Sequence, residues 1–97
     1  MLNKEKIFKE LKKLKGVINK NYKVKSIGLF GSYANNMQKD TSDIDFLVEF
    51  EKGADLIHYI GLSLYLEEFF NTKVELISKP TLKEELREQI LQEVIYE

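Results

Sequence analysis

The sequence contains no cysteine, and this absence removes two classes of site at once. Disulfide bonds are excluded, and so are metal centres that use thiolate ligands. A chain without cysteine suits a reducing compartment, and the N-terminal residues Met-Leu-Asn-Lys-Glu-Lys lack the apolar core of a signal peptide. We therefore expect a cytoplasmic protein.

Long apolar runs are also missing. The longest apolar stretch covers residues 56–66 and is interrupted by His58. A membrane-spanning helix needs about 20 consecutive apolar residues, so this stretch is far too short to cross a bilayer. We expect no membrane span.

The chain has little net charge, because 15 basic residues are balanced by 16 acidic ones. Domains that grip a nucleic-acid backbone are usually strongly basic, so direct binding of nucleic acid is not expected. Lysines are concentrated in the N-terminal third and glutamates in the C-terminal third. We interpret both groups as solvated helix faces rather than as a device that steers partners.

Several familiar catalytic signatures are absent. The only histidine is His58, and there is no G-x-S-x-G motif, so a Ser-His-Asp hydrolase has no support. The P-loop and dinucleotide-binding fingerprints are missing as well. We interpret His58 as a core or boundary residue rather than as a ligand.

The length and the periodicity of the chain predict one small α+β (or α/β) domain. Its 97 residues, 43% of them hydrophobic, are enough for a single core, and we assign residues 1–97 to one domain. Helical periodicity predicts helices over 3–19 and 55–70, the second of them packed on more than one side. Shorter apolar runs predict strands over 24–30, 44–50 and 73–77.

Two weaker patterns complete this secondary structure. Residues 33–37 are predicted to form one or two helical turns after Ser32. A capping box, Thr81-x-x-Glu84, predicts the start of a last helix. One face of that helix would carry apolar residues at four-residue steps, namely Leu82, Leu86, Ile90 and Val94. The elements together predict a small mixed sheet flanked by helices.

The most informative stretch is a Gly-Ser turn followed by two carboxylates. Gly31 and Ser32 end the first strand, and Asp43 and Asp45 open the second one. Alternate residues of a strand share a face, so the two carboxylates lie about 6.6 Å apart. At an effective dielectric constant of 20 they repel each other by about 2–3 kcal/mol. A divalent cation, Mg²⁺ above all, would relieve this repulsion and leave positions open for phosphates.

The Gly-Ser turn suits the other half of such a site. Gly31 allows a ligand to approach the backbone closely, and Ser32 offers a hydroxyl group. A helix that begins there would also direct free N–H groups at a phosphate. A plain turn remains the alternative, and only the downstream carboxylates favour a phosphate site.

The spacing Gly31-Ser32, ten residues, Asp43-x-Asp45 resembles the signature of the DNA polymerase β-like nucleotidyltransferase superfamily. In length and order the chain is similar to its minimal nucleotidyltransferase (MNT) members, which are antitoxins of HEPN ribonuclease toxins. The resemblance implies the nucleotidyltransferase fold and a third carboxylate within Val74-Glu75-Leu76-Ile77. Glu75 is the residue in that position, so Asp43, Asp45 and Glu75 would be the metal-binding and catalytic set.

The resemblance also implies an activity and a partner. The chain would be a Mg²⁺-dependent enzyme that transfers AMP from ATP to a hydroxyl group, with Gly31 and Ser32 holding the triphosphate. The acceptor would be a tyrosine of a cognate HEPN toxin, which is silenced by the modification. A hetero-oligomer of antitoxin and toxin would then form.

Two positions depart from the family pattern. Glu75 stands where relatives usually carry Asp, and Asn35-Asn36 stand where they commonly carry Arg-Gly. An asparagine offers phosphate only a neutral amide in place of a permanent charge. These departures favour the alternative that the chain is a weak or inactive enzyme, an antitoxin that neutralises its toxin by complex formation. A small-molecule nucleotidyltransferase is a third alternative, although such enzymes usually need an added acceptor domain.

Overall fold

The first helix begins at a side-chain cap and follows the predicted apolar stripe. The computed structural model describes residues 2–81, without the Thr81 side chain, and 84–96. Helix α1 spans Lys4–Tyr22, and the Asn3 Oδ1 atom accepts a hydrogen bond from the Lys6 N–H at 2.9 Å. The helix continues three residues beyond the predicted end and stops at Lys23, which has a left-handed backbone conformation. Its buried residues are Ile7, Leu11, Leu14 and Ile18, which recur at helical spacing along the sequence.

Removal of the Asn3 cap provides a stability test. The substitution Asn3→Ala leaves the Lys6 N–H without its side-chain acceptor, so we expect the free energy of unfolding to fall by about 1 kcal/mol. Urea denaturation measures this change. Asn21→Ala, at an exposed site in the last turn of the same helix, should cause no loss. Equal stability of the Asn3 variant and the wild type would contradict the capping role.

The strands form a mixed sheet with the order β3-β2-β1-β4. Strand β1 covers Val24–Phe30, β2 covers Ile44–Phe50 and β3 covers Val74–Ser78. β1 and β2 pair in antiparallel fashion, whereas β2 and β3 are parallel. The fourth strand, β4 (Ile95–Tyr96), pairs with the outer edge of β1 and was not predicted.

Helices α1 and α2 cover one face of this sheet, as predicted. Helix α2 spans Leu56–Phe70 and joins β2 to β3. The core lies between the two helices and alternate residues of the strands, among them Ile44, Phe46 and Val48. Asp45 therefore lies on the opposite face of the sheet, which we call the open face because its acids are accessible, although Leu47 on the same face is fully buried. Within the described residues no helix has the length and apolarity that crossing a bilayer requires.

Three sequence predictions need correction. Residues 33–37 form successive turns instead of a helix. Helix α2 is not packed on more than one side, because it buries Leu62, Leu66 and Phe70 and leaves an apolar face exposed. The last helix, α3 (Glu84–Glu93), buries none of its described residues, and Leu86 is 49% exposed. Leu82 and the Thr81 side chain, on which the predicted capping box depends, lie outside what the structure describes.

Candidate active site

The two predicted aspartates stand at the entrance of β2. Asp43 immediately precedes the strand, and Asp45 is its second residue. Both are half-buried, and the two-residue repeat of an extended chain places them on the open face. Ile44, between them, is fully buried in the core and fixes the register of the strand. Alternation along β2 thus holds two acids on one side of the sheet.

The parallel pairing of β2 with β3 brings the third predicted carboxylate to the same level of the sheet. In the register of the two strands Asp45 stands opposite Glu75, and the two carboxyl groups share a hydrogen bond. Two contacts hold the start of β3 in this register. The Glu67 Oε2 atom accepts from the Val74 N–H at 3.0 Å, and the Ile44 N–H donates to the Lys73 carbonyl at 2.9 Å.

Burial and the neighbouring acids together raise the pKa of Asp45 to about 7. Burial is the largest cause, followed by the hydrogen bond with Glu75, the charge of Glu75 and the charge of Asp43. When Asp45 is protonated, its O–H donates to the Glu75 carboxylate. A carboxyl group that is partly buried beside other acids holds its proton to a higher pH than an isolated one does.

This donor set fits a hard divalent cation in its chemistry. Carboxylate oxygens are the protein ligands that Mg²⁺ prefers, and a cation bound between these acids would lower their mutual repulsion. The side chains as they stand are not a preformed cage. Among residues 2–81 and 84–96, no three His, Cys, Asp or Glu side chains are grouped closely enough to hold a metal ion.

Gly31 lies directly against Asp45. β1 ends at Phe30, which pairs with Asp45, and Gly31 follows with φ of +75°. A Cβ atom on Gly31 would lie 2.2 Å from the Asp45 Oδ2 atom, far inside contact distance. Only glycine adopts this left-handed conformation easily and has no side chain to clash with Asp45. The predicted turn and the predicted acids therefore lie next to each other.

The segment after Gly31 offers fewer free donors than a helix would. The Ala34 and Asn35 N–H groups both donate to the Gly31 carbonyl, and the Met37 N–H donates to the Ser32 carbonyl. These bonds form consecutive turns. Ser32, the residue after Gly31, is half-buried, whereas Tyr33 is buried in the core.

Asn35 is exposed and is engaged within its own turn. Its Oδ1 atom accepts from the Met37 N–H at 3.1 Å. The amide thus stabilises the backbone of the turn, which is a role that an arginine at this position could not fill.

A separate cavity of about 510 Å³ lies away from these acids. Its lining includes Phe50, Tyr59 and Ser78, which belong to the opposite ends of β2 and β3 and to the first turn of α2. Five residues of extended chain separate Phe50 from Asp45, or about 16 Å. The cavity and the acid cluster are therefore distinct features.

Two residues near these elements have roles that the sequence interpretation missed. His58 forms a capping box with Asp55, whose Oδ1 atom accepts from the His58 N–H at 3.1 Å, and the spacing Asp55-x-x-His58 was its only signal. Gly28 gives β4 room on the open face, since a Cβ atom there would lie 2.6 Å from the Val94 Cγ2 atom. A glycine inside a strand is a signal of such close approach.

Comparisons with known proteins agree with this architecture. Residues 12–97 match the family described as polymerase beta, nucleotidyltransferase. The chain is 38% identical over 96 residues to the protein adenylyltransferase MntA of Thermococcus cleftensis, covering 99% of this chain and 97% of the relative. The resemblance that the sequence indicated is thereby confirmed at the level of the family.

Solved structures resemble the whole chain. One, described as a "putative minimal nucleotidyltransferase", has a TM-score of 0.83 and 30% identity and covers 97% of this chain and 95% of its own. Another is a crystal structure of a toxin-antitoxin with AMP-PNP. It has a TM-score of 0.70 and 28% identity over 98% of this chain and 72% of its own. With a family match over most of its length, the chain belongs to the polymerase beta nucleotidyltransferase family.

Proposed function

We propose that this protein is a Mg²⁺-dependent adenylyltransferase that moves AMP from ATP to a hydroxyl group of a toxin protein and acts as its antitoxin. The observation that carries the proposal is the placement of Asp45 between Glu75 and Gly31. Asp45 pairs with Glu75 across the parallel strands, and its carboxylate touches the glycine of the Gly-Ser turn. The acids that would hold a metal therefore lie next to the turn that would let phosphates approach the backbone.

Asp43, Asp45 and Glu75 would hold the metal in this proposal. Bound Mg²⁺ would supply charge that favours phosphoryl transfer. Gly31 lets the triphosphate lie against the backbone, and the Ser32 hydroxyl donates to a phosphate oxygen. Glu75, which is exposed at the rim of the acid cluster, accepts the proton of the acceptor hydroxyl.

The reaction follows from this arrangement. The acceptor oxygen attacks the α-phosphorus of ATP in line with the bond to the leaving group. A new O–P bond forms, the bond between the α-phosphorus and the bridging oxygen breaks, and pyrophosphate leaves. Positioning and neutralisation of charge do most of the catalytic work.

The acceptor in this proposal is a tyrosine hydroxyl of a cognate HEPN ribonuclease toxin. The structural similarity to a toxin-antitoxin crystallised with AMP-PNP supports a protein acceptor and ATP as the donor. The same similarity supports a hetero-oligomer of antitoxin and toxin.

Label transfer tests the proposal. The protein is incubated with Mg²⁺, ATP labelled at the α-phosphate and the toxin encoded beside it. We expect label on the toxin, loss of its ribonuclease activity and mass spectrometric assignment of AMP to a tyrosine. Omission of Mg²⁺ and the variant Asp43→Asn should each prevent labelling. A toxin that stays unlabelled with the wild-type protein would exclude adenylyl transfer to the toxin.

A second function is favoured by a specific observation, the engaged amide of Asn35. Because its Oδ1 atom accepts from the Met37 N–H, the side chain has only its neutral Nδ2 group to offer a phosphate, where an arginine would offer a permanent charge. The chain would then neutralise its toxin by complex formation, with a weak or inactive site. Unlabelled toxin whose ribonuclease activity is nevertheless blocked in the same assay would identify this case.

The substitution Glu75→Gln tests the role of the third acid. Because the amide cannot accept the hydroxyl proton as a base, we expect the turnover number to fall by about 10²-fold. The KM for ATP should change little by comparison. The isosteric change Glu84→Gln on α3 is the matched control and should leave both constants unaltered. An unchanged turnover number for Glu75→Gln would show that Glu75 is not the base.

A further inference from the structure

Helix α2 presents a broad apolar face to solvent, on the side away from the core. Its side chains are Leu56 (69% exposed), Ile57 (79%), Ile60 (48%) and Leu64 (61%). Single exposed apolar residues are common, but four over consecutive turns of one helix form a continuous patch. A helix that is apolar all round is usually buried all round. We call these four residues the outer face of α2.

The position of the outer face limits what can cover it. α2 packs on the core side of the sheet, whereas Asp45 and Glu75 lie on the open face. The patch also occupies the first part of α2, which follows the far end of β2 at Phe50. A protein seated on it would stand on the wrong side of the sheet to bring a hydroxyl group to the acids of the same chain. The protein that carries the acceptor hydroxyl is therefore not expected to bind this surface.

The outer face is instead complementary to itself. Leu56, Ile60 and Leu64 follow each other at four-residue steps, so their pattern is symmetric about Ile60. When two copies of α2 lie antiparallel, Leu56 of each meets Leu64 of the other, and Ile60 meets its own counterpart. Such mutual pairing is the requirement of a two-fold interface.

The charges at the two ends of the helix fit the same arrangement. Lys52 is exposed in the turn before α2, and Glu68 is exposed eight residues beyond Ile60. Lys52 lies in the turn that precedes Leu56, the first residue of α2, so it stands at the N-terminal end of the helix. Antiparallel pairing therefore places the ammonium of each copy at the end of the helix where the other copy carries Glu68.

We propose that the outer face of α2 is a two-fold interface between two copies of this chain. A stable dimer of standard size buries about 800 Å² of each partner, and a patch of four side chains supplies about half of that area. The dimer should therefore form at micromolar concentration rather than permanently. Both acid clusters remain open in it, because each lies on the sheet face that points away from the partner.

Cysteine cross-linking tests the geometry, since the natural chain has no cysteine to interfere. In the variant Ile60→Cys the two thiols meet at the symmetry axis, and mild oxidation should convert most of the protein into a covalent dimer. Lys12→Cys, at an exposed site on α1, is the control and should cross-link only slowly. Equal rates for the two variants would overturn the proposal.

A mixture of two further variants tests the direction of pairing. Leu56 and Leu64 are about 12 Å apart along the helix. Antiparallel helices should join Leu56→Cys of one copy to Leu64→Cys of the other, while each variant alone forms little dimer. Preferential formation of Leu56-to-Leu56 dimers would contradict the two-fold antiparallel arrangement.

Sedimentation equilibrium of the unmodified protein completes the test. We expect a reversible change from monomer to dimer between low micromolar and near-millimolar concentration. Ile60→Glu should weaken the dimer at least tenfold, which corresponds to about 1.4 kcal/mol, while nucleotide transfer stays unchanged. A wild-type protein that is monomeric throughout, with Ile60→Glu instead losing the toxin complex, would assign the face to the toxin and overturn the proposal.

Discussion

Asp45→Asn is expected to abolish nucleotidyl transfer and, at the same time, to stabilise the metal-free protein above neutral pH. The substitution removes a negative charge from the centre of the acid cluster, so the proposed metal loses a ligand. A metal ion contributes several kcal/mol to stabilising phosphoryl transfer, so we expect the rate to fall by about 10³-fold or more. Label transfer from ATP measures this loss.

The gain in stability follows from the raised pKa of Asp45. The folded protein holds this proton up to pH of about 7, whereas an unfolded aspartate loses it near the ordinary pKa of 3.8. The free energy of unfolding of the wild type therefore falls as pH rises from about 4 to about 7. An asparagine at this position cannot ionise, so the variant keeps the free energy of unfolding that the wild type loses. The difference is about 1–2 kcal/mol after allowance for solvent screening of a half-exposed group.

Thermal unfolding in the presence of a chelator measures the difference. At pH 8 the melting temperature of Asp45→Asn should exceed that of the wild type by about 5–10 °C, and at pH 4 the two should agree. Asp40→Asn, at an exposed position outside the cluster, is the control and should match the wild type at both values of pH. A variant less stable than the wild type at pH 8 would contradict the raised pKa of Asp45 on which this prediction rests.

Gly31→Ala is expected to damage both the fold and the site. An alanine with φ near +75° is strained by about 1–2 kcal/mol, and its Cβ atom would collide with the Asp45 carboxylate. The carboxylate must move by about 1 Å, and a displacement of that size lowers catalytic rates by about 10²-fold. Urea denaturation and label transfer measure the two effects.

Gly16→Ala is the matched control for this substitution. Gly16 lies within α1, and a Cβ atom there meets no other atom within 4 Å. Alanine should stabilise the helix by about 0.5–1 kcal/mol and leave the transfer rate unchanged. If both alanine variants had the same stability and activity, the close approach of Gly31 to Asp45 would matter neither for folding nor for catalysis.

Most of the fold could be predicted from the sequence, because its main elements have strong periodicity. The stripe Ile7, Leu11, Leu14 and Ile18 defines α1 by itself. The weaker elements depend on tertiary contacts. Residues 33–37 are too few to favour a helix over turns, and buried Tyr33 and Ala34 anchor the turns in the core. β4 is only two residues long and follows a helical pattern, so its pairing with β1 leaves no signal of its own.

The members of the candidate site could be named from spacing, but their mutual contacts could not. The two-residue step predicts that Asp43 and Asp45 share a face. The pairing of Asp45 with Glu75 depends on the parallel register of β2 and β3, which is held by contacts such as the bond from the Val74 N–H to Glu67 of α2. The exposed side of α2 was also missed, since composition does not distinguish a helix buried by its own chain from one that has an uncovered face.

The pairing of Asp45 with Glu75 in the sheet keeps the acids of the site apart from the outer face of α2. A slip of one residue in β3 would place Val74 or Leu76 beside Asp45, so the pairing of the strands tolerates no shift. The connection between these strands, residues 51–73, is restricted on its inner side, where Leu62, Leu66 and Phe70 pack on the core and Glu67 holds the start of β3. The outer side of its helix is free of these contacts, so it can change its residues and acquire a new binding surface while the acids keep their places.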